Sequence, residues 1–135
     1  MKFNTPISAG ELVDKITILK IKSEMIKDED KLKEIKKEKK ELGEKLLQMT
    51  SSEYFEKKCY YLYSLQNDLY KTNLKLWKIE DDIRECERKK DFGEKFIQLA
   101  RDVYYTNDNR FDIKNKINEL TNSDIKEVKS YESYS

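Results

Sequence analysis

Residues 55–86 read FEKKCYYLYSLQNDLYKTNLKLWKIEDDIREC, and within them Leu62, Leu65, Leu69, Leu76, Ile79, Ile83 and Cys86 recur three, four or seven positions apart. This is heptad spacing sustained for four repeats, the coiled-coil-like seam of one long amphipathic helix. A partner helix must cover that seam, because the apolar stripe stabilises the helix only when it is buried.

Upstream, Ile7-Ser8-Ala9-Gly10-Glu11-Leu12 carries a capping box, Ser8 with Glu11, and a hydrophobic staple, Ile7 with Leu12. Apolar positions follow at Leu12, Ile16, Leu19 and Ile26, and again at Leu32, Ile35, Leu42, Leu46 and Met49. Ile26 and Leu32 are six residues apart where the register wants seven, so the chain bends near residues 27–31. One kinked helix is the expectation, with a break capped by Asp28 or Asp30 as the alternative. Thr50 with Glu53 reads as a second capping box with Met49 and Tyr54 as its staple. Asp91 with Glu94 reads as a third, ahead of Phe96, Leu99, Val103, Ile113, Ile117 and Leu120. Short turns near residues 50 and 90 then make neighbouring helices antiparallel. The expected fold is all-α: an elongated up-down-up bundle of three long helices as one domain over residues 1–123. A polar tail over 124–135 is either a docked arm or a frayed end.

Composition narrows the function classes. Three Gly and one Pro in 135 residues leave little material for the tight turns of a sheet protein. No apolar window reaches the ~20 residues that span a bilayer, and the start lacks the apolar stretch of a signal peptide, so a cytoplasmic address and no membrane partner are expected. Cys59 and Cys86 sit on one helix roughly 40 Å apart by its rise, which excludes a disulfide between them. There is no His, and so neither the usual general base nor the commonest metal ligand. Neither GxGxxG nor GxxxxGK[ST] occurs. The Lys-rich run of residues 31–40 is interrupted by Glu at helical spacing, and Lys+Arg 28 balance Asp+Glu 27, so no nucleic-acid partner is expected.

The core stripe turns polar in the middle of the last helix, where the seam reads Thr106 and Arg110 inside the run Tyr104-Tyr105-Thr106-Asn107-Asp108-Asn109-Arg110-Phe111. Folding about the turn at residue 90 sets this stretch opposite Trp77, Asn73, Thr72 and Tyr70, with Ser23 of the first helix near the same level. That layer is either a candidate pocket or a register-setting polar contact. A second cluster gathers Glu80, Asp81 and Arg84 with Arg101, and the three-helix reading brings Glu11, Asp14 and Lys15 to the same end. Carboxylates and guanidiniums together could hold a divalent cation, at Glu80 and Asp81, or a phosphate; an ordinary ion-pair network is the alternative.

The segments ISAGELVDKITILKIKSE, LWKIEDDIRECE, FIQLARDVYYTNDNR and IKEVKSY resemble a family of short bacterial and viral proteins of unknown function. The resemblance spans nearly the whole chain and implies a role accessory to surface-glycan biosynthesis, with no stated activity. It selects Glu11, Lys15, Trp77, Glu80, Asp81, Arg84, Arg101, Tyr104, Asn107, Asp108 and Arg110 as candidate ligand-binding residues. The leading expectation is a helical interaction or assembly module without catalysis or cofactor, acting on a protein partner or as a homodimer. The runner-up is a small all-α binder of a phosphate-bearing molecule, or a magnesium-dependent nucleotide or nucleotide-sugar phosphohydrolase.

Overall fold

The computed structural model describes residues 1–134, the side chain of Tyr54 apart. Its helices are α1 (Ala9–Met25), α2 (Glu29–Thr50), the single turn α3 (Glu53–Glu56), α4 (Cys59–Arg88) and α5 (Glu94–Thr121), and no strand occurs among the described residues. None of these helices is long and apolar enough to cross a membrane.

The three-helix expectation is corrected by the bend between Ile26 and Asp28, which is a full break and not a kink. Ile26 turns extended, with φ −86° and ψ 134°, and the Asp28 side chain caps a new helix by accepting from the Lys31 amide at 3.0 Å. One missing residue in the stripe is thus resolved by stopping one helix and starting another, so four long helices replace three. Ser8 caps α1 as expected, accepting from the Glu11 amide at 3.1 Å, but the Glu11 carboxylate turns to Lys114. The other two capping boxes do not form. Thr50 is the last residue of α2, its hydroxyl donating back to the Leu46 carbonyl, and α5 starts after Gly93, whose amide donates to Asp91. The staple of Met49 with Tyr54 lies outside the described residues.

The break lets α1 fold back along α2, where Lys2 meets Glu41 and Leu12 shares a groove with Leu42. α1 also packs against both α4 and α5. α4 and α5 run antiparallel: the Lys58 ammonium donates to the Leu120 carbonyl at 3.2 Å, and the Asn109 amide donates to the Thr72 hydroxyl at 3.3 Å. Surrounded on three sides, α1 buries Val13, Asp14, Ile16, Thr17, Leu19 and Ile21, a set too wide for one stripe. Val13 joins Leu62, Leu69, Ile113 and Ile117 in the core, against which Leu46 and Met49 of α2 pack.

α1 crosses α5 closely at Gly10, whose amide donates to the buried Asn118 Oδ1 at 2.7 Å. A Cβ at this position would stand 2.5 Å from the Lys114 carbonyl oxygen and 2.9 Å from Asn118 Oδ1. The first obstacle is backbone and cannot rotate away. Gly10→Ala should therefore lower stability by roughly 1–3 kcal/mol through overpacking, despite the gain of up to about 1 kcal/mol in helix propensity. A urea melt with an unchanged or raised midpoint would show that the crossing has slack.

Candidate functional site

The polar layer is built on Asp14, a carboxylate with no solvent exposure. Removing a charge from water is costly unless partners replace the solvent, and here they come from two other helices. Arg110 of α5 donates to it through Nε at 3.0 Å and through a second, shorter bond from Nη2. Asn73 of α4 donates through Nδ2 both to Asp14, at 2.8 Å, and to the Thr17 hydroxyl, at 2.9 Å. The hydrogen bond to Asp14 raises the pKa of the Arg110 guanidinium, so that group keeps its charge. Thr72, Asn73 and Thr106 are buried around this node, as their polar positions on the seam suggested.

The contribution of α1 differs from the expected one. Ser23 is half-buried and donates to the Lys20 carbonyl of its own helix, while Asp14 and Thr17 occupy the layer. Tyr70 turns outward to Glu24, 2.7 Å away, beneath the Lys20 ammonium. The reason is again the break: α1 runs beside α4 in the same direction, so its first turns meet the far end of α5 and not the turn at residue 90. Glu11 and Lys15 consequently lie away from Glu80 and Asp81. Glu11 pairs with Lys114 at 2.8 Å, and Lys15 is exposed beside Glu38 and Glu41 on the α1–α2 groove.

Six of the candidate residues do share one hollow. A groove of about 480 Å³ has Ile18, Ile21 and Leu76 as its apolar wall, with Trp77 half-buried beside them. Asn107 and Arg110 line it from α5, and Glu80, Asp81 and Arg84 line it from α4. Arg84 approaches Glu80 to 3.6 Å, and both are exposed. Arg101 and Tyr104 are elsewhere, in a cluster where Arg101 stands over the Tyr105 ring and Tyr104 and Tyr105 both meet Tyr134. Asp108 faces the tail: the Lys129 ammonium beside it holds its carboxyl below the ordinary range, and its hydrogen bond pushes the Tyr134 phenol up to about 12. The segment after α5 is thereby tied back along that helix. Among the described residues no three His, Cys, Asp or Glu side chains come together as a metal site, so Glu80 and Asp81 have no third ligand of that kind beside them.

Lys114 is the charged residue that the sequence did not single out. It is 5% exposed, and it holds Glu11 at 2.8 Å and Glu127 of the tail at 2.7 Å. Its signal was position, since it directly follows the core residue Ile113 and sits one turn from Asn118 at the Gly10 crossing.

These features define an all-α protein whose charged interior residues hold helices together and in which a groove with both apolar and polar walls opens beside Trp77. Over residues 1–134 the chain matches a family of unknown function, DUF6165, and belongs to it. No curated protein and no solved structure matches the chain.

Removing either partner of the central pair should be costly. Asp14→Ala should lose about 3 kcal/mol and Arg110→Met somewhat more, because it strands a wholly buried carboxylate. The double variant Asp14→Leu, Arg110→Met should lose less than the sum of the single changes in urea denaturation; additive losses would show that the two groups are not coupled. For Lys114, burial lowers the pKa, but hydrogen bonds to Glu11 and Glu127 outweigh it and hold the value above the ordinary 10.5. A raised folded pKa means that this stabilisation is complete below about pH 10.5 and disappears as the pH climbs through the folded value. Urea midpoints should fall across that alkaline range in the native protein and fall less in Lys114→Met. Equal slopes for the two proteins would remove Lys114 from the account.

Proposed function

We propose that the chain is a helical interaction module without catalysis of its own, working through a protein partner or a second copy of itself. The observation that carries this reading is the mutual pairing of charges that acid–base or metal chemistry would leave available. Asp14 is held by Arg110, Lys114 by Glu11 and Glu127, and Glu80 lies against Arg84. A general base or a metal ligand needs an open lone pair facing substrate. Here the lone pairs of Asp14, Glu11, Glu127 and Glu80 stabilise helix contacts or an exposed ion pair, and the exposed Asp81 stands in no cluster of three acidic, His or Cys side chains among the described residues.

Contact surface, by comparison, is plentiful. Phe92 in the turn before α5, and Ile97, Tyr104 and Tyr105 along its first half, are all exposed. Aromatic residues are enriched in the cores of protein interfaces because they present large, rigid area. The phosphate-binding alternative is weakened by the exposed Asp81 carboxylate on the same groove wall, which would repel a multiply charged anion.

Two measurements check the reading. Magnesium together with nucleotides and nucleotide-sugars should leave the melting temperature unchanged, and no phosphate should be released; stabilisation with turnover would replace the module by a phosphohydrolase. Sedimentation at tens of micromolar should give a dimer, and a strict monomer would leave a different protein as the partner.

A further inference from the structure

The groove beside Trp77 has unused hydrogen-bonding groups of opposite kinds at its two ends. At one end the Arg110 guanidinium is fixed by Asp14 through Nε and Nη2. Two of its five N–H donors are thereby spent, and three remain. Asn107, exposed beside it, adds an amide. At the other end Asp81 is exposed on the groove wall, while its neighbour Glu80 faces Arg84. Between them lie the Trp77 ring and the apolar wall of Ile18, Ile21 and Leu76.

The charges decide what fits. An anion alone would find donors at Arg110 and Asn107 but would meet the repulsion of Asp81, the carboxylate that Arg84, held by Glu80, does not pair with. A cation alone would find Asp81 and the indole face but would leave the Arg110 and Asn107 donors to water and gain nothing from them. A ligand carrying both charges satisfies both ends. We infer that this groove binds a short free peptide as a zwitterion, its carboxylate on Arg110 and Asn107, its ammonium on Asp81 at the rim of Trp77, and its apolar body on the wall between.

Length narrows the ligand further. Asn73, which shares Asp14 with Arg110, precedes Asp81 by eight positions on α4, or about 12 Å at a helical rise of about 1.5 Å per residue. Three extended residues span about 10 Å, and the reach of the two side chains closes the difference. A single amino acid is too short to touch both ends. The volume of about 480 Å³ suits a tripeptide as well.

The inference treats the groove as a place of binding and not of reaction, and so rests on the reading above. Trp77 is the chain's only tryptophan, and its fluorescence reports on this groove and on the neighbouring hollow it shares with Met25, Leu74 and Lys78; a signal that Asn107→Ala weakens belongs to this groove, and one it leaves unchanged does not. Titration of the whole protein should use free tripeptides of alanine and of leucine, their N-acetylated forms, their C-terminal amides, inorganic phosphate and a nucleotide. A free tripeptide should change the emission saturably, the leucine form more tightly, and capping either end should weaken binding about tenfold or more. Asp81→Asn, at an exposed position, should melt like the native protein and lose the difference between free and N-acetylated peptide. The inference is overturned if no free tripeptide changes the emission up to tens of millimolar, if capped and free forms bind alike, or if phosphate or nucleotide binds in their place. A tripeptide that is bound and then hydrolysed would instead overturn the non-catalytic reading and leave the ligand class standing.

Discussion

One buried carboxylate sets the arrangement of three helices. Asp14 of α1 reaches no solvent, and its hydrogen bonds come from Asn73 of α4 and Arg110 of α5. Apolar seams alone tolerate sliding, since a Leu that moves one turn meets another Leu; a charge sealed from water tolerates no such shift. If α5 moved by a turn against α1, Arg110 would leave Asp14 and an unpaired charge would remain in the core. The node therefore fixes register and not only stability. The close crossing of Gly10 against the Lys114 carbonyl acts with it, because the same two helices can approach there only without a Cβ.

The helices themselves were legible in the sequence. The stripe from Leu62 to Cys86 is buried along α4 at Leu62, Leu69, Ile79 and Cys86, and Ser8 caps α1 as its spacing implies. Chain direction after residue 26 was not legible. A six-residue gap between Ile26 and Leu32 is compatible with a kink or a break, and local pattern assigns them similar costs. What separates them is tertiary: only a break allows α1 to bury residues on three sides. The same misreading of direction sent Glu11 and Lys15 to the wrong end of the molecule.

The candidate site was partly legible for a related reason. Trp77, Glu80, Asp81 and Arg84 share one helix, and their company follows from helical spacing alone. Asn107 and Arg110 join them because the turn near residue 90 fixes how α4 and α5 face each other. Arg101, Tyr104 and Asp108 lie on the same helix at neighbouring levels but point to another side, toward Tyr105 and the tail. Level along an axis can be counted from a turn; rotation about the axis depends on which residues the core accepts, and here Thr106 and Ile113 set it.

The groove is a by-product of the node. Arg110 lines its wall because Asp14 holds the guanidinium there, at a side-chain exposure of 28% against 1% for the carboxylate. A free arginine at that position would spread its charge among many rotamers, whereas this one presents unused N–H groups in a fixed direction. Asp14 also cancels most of the attraction that a bare guanidinium would exert on any passing anion. What remains at Arg110 is directional hydrogen bonding with little net field, so donor geometry holds an anion there, and the uncompensated charge of the groove is that of Asp81 further along α4. The interaction that keeps three helices in register thus also determines the chemistry offered at the surface, and a change at Asp14 would alter both together.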